Sequence, residues 1–363
     1  MALLAPIRVG IVGFGRMGKV RLDAVQRSPH LEALAVCDTE PGRFDGNRSV
    51  RFLADYDQLL GMGVDAVFVC TPNRCTPDLV IRALEARKHV FCEKPPGRTL
   101  GDIRRIIEAE GRGSGLKLKF GFNHRYHAAI QEAKSLVDND RLGKILWVRG
   151  VYGKSGQPAF PGGWRAQRDI AGGGILLDQG IHMLDIFRLF CGEFHEVKSY
   201  VTRAYWKCDV EDNAFALLQA EGGPIAMLHS SATHWKHCFS LDICLTEGHI
   251  TINGILSGSR NYGRETLIVA RKPSEDDALG MGNPREEVTY FDRDISWQSE
   301  VDDFADCILT GKAVRHGTSM DAFRAMELVY KIYWADAAWA SAQGLEANTS
   351  RVGGPARADG GVP

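Results

Sequence analysis

Three glycines with a spacing suited to phosphate binding stand near the start of the chain, in the run Gly13-Phe14-Gly15-Arg16-Met17-Gly18. A short β-rich segment, residues 7–12, precedes them, and a helical pattern follows over residues 17–27. Such a turn brings backbone N–H groups and the positive end of a helix against a pyrophosphate, and a Cβ atom would obstruct that approach. The motif alone is weak, but the strand before it and the helix after it favour a dinucleotide site.

Asp38 ends the next predicted strand, 20 residues beyond Gly18, where its carboxylate can accept hydrogen bonds from the adenosine ribose. A carboxylate there repels the 2′-phosphate of NADP, and no Arg or Lys follows directly. NAD is therefore the expected cofactor. Arg43 is close enough in sequence to keep NADP as the less favoured alternative, and the simpler interpretation of Asp38 is a strand-end cap.

Asp178 and His182 are spaced i, i+4, which would put both on one face of a helix whose other side carries Ile181 and Leu184. The helix would follow a run of three glycines, residues 172–174. A single pair of this kind is more often a surface contact than a catalytic pair. Histidine nevertheless suits a general base, because its unperturbed pKa of ~6.5 is near neutrality.

Lys94 lies in the run Cys92-Glu93-Lys94-Pro95, at the end of a predicted strand over residues 88–92. The carboxyl ends of parallel strands are where open α/β sheets place ligands. Hydride transfer from a secondary alcohol needs a base for the hydroxyl proton. Lys94 is a second candidate for that base beside His182, since burial near a cationic nicotinamide would lower its pKa. Asp178 would orient the substrate or tune its neighbours.

The elements that must position these residues form two regions. Up to residue 125, apolar strands (34–38, 66–70, 88–92, 116–122) alternate with helical patterns (79–86, 102–112), which predicts a doubly wound parallel sheet, a Rossmann domain over 1–125. From residue 126 a helix (130–137) is followed by successive strands (145–153, 196–206, 212–220, 224–234, 239–246, 249–254, 265–271) and two helices (297–310, 320–342). This order predicts an α+β domain with a large, mostly antiparallel open sheet over 126–345, for substrate binding and oligomerisation, and a flexible tail over 346–363.

Composition narrows the classes of partner. Lys plus Arg (44) nearly cancels Asp plus Glu (45), so no basic excess favours nucleic acid or an anionic membrane. No apolar run approaches the ~18–20 residues of a membrane span, and no signal peptide is evident. The nine cysteines are scattered without metal-ligand spacing. We expect a cytoplasmic protein with no bound metal.

With these motifs in order, the chain resembles the glucose-fructose oxidoreductase/inositol dehydrogenase (Gfo/Idh/MocA) family. The resemblance rests on residues 7–125 with Thr71-Pro72-Asn73 and Glu93-Lys94-Pro95, and on residues 172–185. It implies that Lys94 lies at the nicotinamide and the substrate hydroxyl, and that Asp178 and His182 complete the polar site. It also implies that the loops at 71–73 and 93–95 line the cofactor, with a cis bond before Pro95.

Further residues are weaker candidates. The resemblance places Trp164 and Arg165 in a segment that reaches cofactor and substrate, and ordinary packing is the alternative. Position along the chain adds a set near the cleft, with Asn123 assigned to the cofactor and the others to the substrate: Asn123, Arg125, Tyr152, Lys154 and His234. His234 and Trp235 form a strand-end pair within reach of the pocket, although such a pair is more often structural. Where many relatives have histidine two residues after Thr-Pro-Asn, this chain has Arg74-Cys75.

The leading hypothesis is an NAD-dependent dehydrogenase or ketoreductase acting on a secondary hydroxyl or ketone of a sugar, nucleotide-linked sugar or cyclitol. A family member with a non-sugar substrate, an NAD-dependent glycosidase and a non-catalytic dinucleotide sensor are the alternatives. Retention of Lys94, Asp178 and His182 argues against the sensor, which needs no proton-transfer set. A homodimer or homotetramer is expected, by resemblance as much as by pattern.

Overall fold

The first sheet is parallel throughout. A computed structural model describes residues 5–44, 49–156, 162–257, 261–274 and 282–345. Six strands in the order β3-β2-β1-β4-β5-β6 form this sheet. They are β1 (Ile7–Val12), β2 (Leu31–Cys37), β3 (Arg51–Leu53), β4 (Ala66–Val69), β5 (His89–Glu93) and β6 (Leu118–Gly121). The helices between them are α1 (Arg16–Arg27), α2 (Tyr56–Gly61), α3 (Thr76–Glu85) and α4 (Leu100–Arg112). The predicted doubly wound sheet is thereby confirmed.

The strand order reverses beside β1, which pairs in parallel with both β2 and β4. Helices cover both faces of the sheet, so its central strands are apolar on each side, and Val9, Ile11 and Phe68 are fully buried. The loops that follow β1 and β4 therefore flank a crevice at the carboxyl edge. This is the position where open α/β sheets bind ligands.

The second sheet is mixed and mostly antiparallel. Its eight strands run in the order β14-β13-β12-β11-β7-β10-β9-β8, and β10 and β7 are the parallel neighbours. They are β7 (Ile145–Ser155), β8 (Phe194–Thr202), β9 (Asn213–Ala220), β10 (Ile225–Ser231), β11 (Thr233–Leu245), β12 (Gly248–Asn253), β13 (Glu265–Arg271) and β14 (Glu286–Phe291). The helices of this part are α5 (Ala128–Asp138), α6 (Arg168–Ala171), α7 (Ile181–Cys191), α8 (Ser296–Thr310), α9 (Ser319–Ala335) and α10 (Ala337–Ala342).

One face of this sheet packs on helices and the other carries exposed apolar side chains. Along β9, Ala216 and Leu218 are buried while Phe215 and Leu217 are 44% and 51% exposed. This alternation follows the pleat of a strand, whose successive side chains point to opposite faces. The helices α7 and α9 pack against the buried side.

Helix α8 does not follow the division of the chain at residue 125. It packs against the first sheet, where Val301, Phe304 and Ala305 join the same hydrophobic core as β1 and β4. The Phe304 ring meets Phe68 and Phe91 edge to face, at centroid distances of 5.8 and 5.6 Å. The division at residue 125 thus separates the two sheets but leaves one helix of the first sheet in the later part of the chain.

Several elements differ from the prediction. The short β3 and α2, and the strand β14, were not predicted. The helix predicted over 320–342 is two helices, because Asp336 caps α10 by accepting a hydrogen bond from Trp339 N–H. The predicted tail, 346–363, lies outside the described residues. Within the described ranges, no helix is both long and apolar enough to cross a membrane.

Candidate active site

The glycine loop between β1 and α1 has the geometry of a phosphate cradle. Gly13 has a φ of +86°, and a Cβ on Gly18 would lie 2.2 Å from the Gly13 carbonyl oxygen, so the turn itself requires both glycines. A Cβ on Gly15 would meet no protein atom within 4 Å. Gly15 is also the N-cap of α1 and offers no capping side chain. Gly15 therefore leaves open the space that a pyrophosphate would take at this helix end.

Asp38 lies beside that loop with its carboxylate 5% exposed. It accepts hydrogen bonds from Phe14 N–H (2.6 Å) and Glu40 N–H (2.9 Å). The guanidinium of Arg43 is 3.4 Å from Asp38 Oδ2 and 2.7 Å from Glu40 Oε1. Arg43 is thus engaged by two carboxylates, and a 2′-phosphate would have to displace one of them. The arrangement fits NAD better than NADP.

The loop after β4 is tied to the segment between β7 and β8. Asn73 Nδ2 donates to the Ala171 carbonyl oxygen at 2.7 Å, and Thr71 and Thr76 face each other through their hydroxyls at 3.2 Å. The Pro72 carbonyl oxygen accepts a hydrogen bond from the Thr76 hydroxyl at 3.3 Å. Arg74, at the departure from the family pattern, forms an ion pair with Asp169 at 2.7 Å with both side chains exposed.

Lys94 leaves the end of β5 through a cis Lys94–Pro95 bond, as the resemblance implied. Its ammonium donates to the backbone carbonyl oxygen of Asp178 and is 3.7 Å from Asp178 Oδ1. Burial lowers the pKa of Lys94, and the neighbouring Asp178 carboxylate offsets that effect only in part. The structure therefore brings together two of the predicted catalytic residues across the two parts of the chain.

Asp178 is surrounded by cations. Lys154 donates to Asp178 Oδ2 at 3.1 Å and Arg165 to Oδ1 at 3.3 Å, and Arg165 also lies 4.2 Å from the centre of the Trp164 ring. Burial acts to raise the pKa of Asp178, but Lys154, Lys94 and Arg165 together hold it well below its usual range. Among the described residues, one carboxylate thus faces three cations.

The helical context of Asp178 differs from the prediction of a single α-helix. Asp178 lies in a π-helical turn, Leu176–Gly180, and α7 begins only after it, at Ile181. Glu211, a buried residue not predicted for the site, holds the preceding turn by accepting from Gly174 N–H (2.8 Å) and Leu176 N–H (3.0 Å). This clamp fixes the backbone from which Asp178 projects.

His182 lies in the first turn of α7 and is 5% exposed. Its ring stacks on that of His124, with centroids 3.8 Å apart and an interplanar angle of 18°. Its Nδ1 is buried without a hydrogen-bond partner in the described chain. Burial, with His124 and Lys94 adding to it, holds the pKa of His182 well below the usual value. The imidazole is therefore neutral near pH 7.

His124 was not predicted as a site residue, although it stands between two candidates, Asn123 and Arg125. Asn123 Oδ1 lies 3.1 Å from His124 Nδ1, so Nδ1 carries the proton. The Tyr152 hydroxyl then donates to His124 Nε2, at 3.0 Å. Asn123 Nδ2 in turn donates to Ser296 Oγ at 3.0 Å. Asn123 and Tyr152 thus hold the ring of His124, on which His182 stacks.

Three predicted site residues have their polar atoms engaged by partners outside the Lys94–Asp178 cluster. Arg125 pairs with Asp185 (2.6 Å) and Asp321 (3.0 Å). Glu93 accepts a hydrogen bond from Arg21 at 2.6 Å. His234 Nδ1 contacts the Lys236 carbonyl oxygen within its own loop. No group of three or more metal-ligating side chains occurs in the part of the chain that the structure describes.

Comparison with known proteins adds to this geometry. Residues 7–118 match the oxidoreductase family with an NAD-binding Rossmann fold, and residues 130–251 match the GFO/IDH/MocA C-terminal domain. D-glucoside 3-dehydrogenase of Escherichia coli (strain K12) is 32% identical, over 62% of this chain and 70% of that protein. Myo-inositol 2-dehydrogenase of Thermotoga maritima is 28% identical, over 62% and 68%.

Solved structures show the same fold. Levoglucosan dehydrogenase in complex with NADH has a TM-score of 0.79 at 23% identity, over 92% of this chain and 98% of that one. Aldose-aldose oxidoreductase from Caulobacter crescentus has a TM-score of 0.78 at 24% identity, with the same coverage of 92% and 98%. From its two family matches and its relatives, the chain belongs to the Gfo/Idh/MocA family and is an NAD-binding oxidoreductase.

Proposed function

We propose that this oxidoreductase transfers hydride between NAD and a secondary hydroxyl or ketone of a sugar or cyclitol. The observation that carries the proposal is the meeting of Lys94, at the carboxyl edge of the first sheet, with Asp178 and neutral His182 from the second part of the chain. Relatives named for glucosides and inositol favour polyhydroxylated rings. When bound, NAD supplies the hydride acceptor at its nicotinamide ring.

His182 is the better candidate for the base. Its Nδ1 has no partner within the described chain, and its lowered pKa keeps the ring neutral. Lys94 already donates to the Asp178 carbonyl oxygen and faces its carboxylate, as expected of a protonated ammonium. In the oxidation direction His182 takes the hydroxyl proton while Lys94 donates a hydrogen bond to the same oxygen. The cations around Asp178 outnumber its single negative charge, and this excess would stabilise negative charge that develops on the substrate oxygen.

A pH profile separates the two candidate bases. Removing a general base typically costs ~10²–10⁴-fold in rate. We expect His182→Ala and Lys94→Ala to lose kcat/KM by that order on a substrate found by screening sugars and inositols, while NADH binding, followed by fluorescence, is retained. The profile of the parent enzyme should fall on acidification through a pKa below ~6.5, because only neutral histidine accepts the proton.

That acidic limb should vanish in His182→Ala and persist in Lys94→Ala. His195→Ala, at an exposed histidine of β8, is the matched control and should behave as the parent. A limb that persists in His182→Ala would transfer the role of base to Lys94. Normal turnover in both variants would overturn the catalytic assignment and leave the dinucleotide site standing.

We also propose that the chain assembles into a homodimer or homotetramer through the open face of its second sheet. Tyr200 is 76% exposed there, next to Phe215 and Leu217. Apolar patches of this kind on a sheet mark contact surfaces. Native mass spectrometry of the parent and of Leu217→Lys tests the proposal: the variant should be monomeric, and an unchanged subunit number would exclude this face.

A further inference from the structure

The strand pair β7–β11 is interrupted directly beside the candidate active site. Thr233 pairs with Ser155 and Cys238 pairs with Gly153, so that residues 234–237 all lie opposite Lys154. The surplus residues cannot continue the ladder. A bulge of this kind redirects side chains, and such bulges recur next to active sites. Here the residue that the bulge faces is the one whose ammonium donates to Asp178.

The bulge presents Trp235, which is 61% exposed and packs against two aromatic residues that follow β8. The Tyr205 ring is 5.0 Å from both the Trp206 and the Trp235 ring, and the two indoles are 6.3 Å apart. Tyr205 is also 61% exposed, whereas Trp206 is partly buried and donates from Nε1 to the Ala232 carbonyl oxygen at 2.8 Å. We call these three residues the aromatic platform.

The platform lies on the same side of β7 as the catalytic cluster. A Cβ on Gly156 would be 2.3 Å from Trp206 Cε2, so the indole covers the side on which a residue-156 side chain would project. Gly156 directly follows the end of β7, and alternate residues of an extended chain project to the same face, which directs the Lys154 side chain to that side too. Two residues of extended chain span about 7 Å. The platform therefore lies roughly the width of one sugar ring from the backbone of Lys154.

We propose that the aromatic platform binds a second saccharide ring of a glycoside whose reacting ring lies at Lys94 and His182. The inference rests on the proposed function, because it takes a sugar as the substrate. Trp and Tyr rings offer large flat apolar faces with polar edges, which suit the C–H face of a pyranose and its hydroxyl rim. Three aromatic side chains form a smaller surface than a stable protein interface, which buries about 800 Å² per partner. The bulge that carries Trp235 lies opposite Lys154, whose ammonium donates to Asp178 where the first ring would lie.

The first test compares one-ring and two-ring substrates. We expect Trp235→Ala and Tyr205→Ala to raise KM for cellobiose or maltose by roughly five- to tenfold, the scale of one aromatic stacking contact, with kcat unchanged. KM for methyl glucoside should change less than twofold. Trp235→Phe should recover most of the loss, because it keeps an aromatic face. Tyr290→Ala is the matched control, since Tyr290 is 55% exposed on β14, at the opposite edge of the sheet from β8.

The second test does not depend on turnover. Saturation-transfer NMR on the NADH-loaded protein should show contact with both rings of cellobiose or maltose, and Trp235→Ala should lose the contact with one of them. If no sugar is oxidised but this pattern is seen, the proposed function fails and the platform stands. Equal losses for one-ring and two-ring sugars, no loss for either, no contact in the parent protein, or a change of oligomeric mass in Trp235→Ala would each overturn the inference.

Discussion

A buried cluster of three charged side chains joins the dinucleotide loop to the lysine loop. We expect this cluster to make the stability of the protein depend on pH. Arg21 of α1 contacts Glu93 of β5 at 2.6 Å and Glu300 of α8 at 2.8 Å, with side chains that are 0%, 10% and 0% exposed. Its guanidinium lies 4.3 Å from the Phe91 ring centre and 4.8 Å from that of Trp297. Arg21 is shared between two carboxylates, and burial raises the pKa of Glu300 to about 7 despite Arg21 and the nearby Lys119.

The magnitude follows from proton linkage. A pKa of about 7 in the folded protein, against 4.5 for the ordinary group, corresponds to about 3 kcal/mol. Because the folded state holds the proton more tightly, this stability is fully present below pH 4.5 and is lost as the pH rises through about 7. Glu300→Gln removes the titrating group and keeps the shape. We expect it to remove this fall in stability and to be at least as stable as the parent at pH 8.

Arg21→Met is the opposite perturbation. It leaves two buried carboxylates without their cation, and losing one partner of a buried pair costs about 3–5 kcal/mol. Urea unfolding at pH 5 and pH 8, followed by fluorescence to which Trp297 contributes, measures both variants. Glu196→Gln, at an exposed position of β8, is the matched control. If Glu300→Gln shows the same loss of stability between the two pH values as the parent, Glu300 does not titrate in this range.

Two further predictions concern the cofactor. Gly15→Val should abolish NADH binding with little change in melting temperature, because a Cβ at this position meets no protein atom within 4 Å, whereas Gly18→Val should unfold the turn. Fluorescence titration and circular dichroism check this, and normal NADH binding in Gly15→Val would place the cofactor elsewhere. Asp38→Ala should weaken NAD binding and narrow its advantage over NADP, measured as two dissociation constants. An unchanged ratio would contradict the ribose assignment.

Site residues could be predicted from the sequence where their function depends on the spacing of nearby residues. The glycine loop, the strand-end Asp38 and the run at Lys94 each carry their geometry within a few residues, so their placement followed from pattern. The short β3 and α2 have too few residues for a clear period. The strand β14 is exposed along most of its length and begins with two glutamates, so it lacks the buried alternate positions that identify a strand.

Buried partners from distant parts of the chain were not foreseeable in the same way. Glu300 meets Arg21 across 279 residues, and nothing in the local sequence of either indicates the other. Arg125 is a second example. Its position in the sequence suggested a substrate contact, but in the folded chain carboxylates of α7 and α9 bind its guanidinium. His124 had a usable signal, its position between two predicted residues, but the stacking with His182 is purely tertiary.

The packing of α8 on the first sheet has a consequence for how the chain folds during its synthesis. All strands of that sheet have been made once residue 121 is reached, yet the core beside β1 still lacks Val301, Phe304 and Ala305. Domains generally fold as they emerge, amino-terminal part first, and apolar surface that waits for its cover is prone to aggregate. The nascent first sheet must therefore wait for some 180 further residues, roughly ten to forty seconds at ~5–20 residues per second, before α8 closes it.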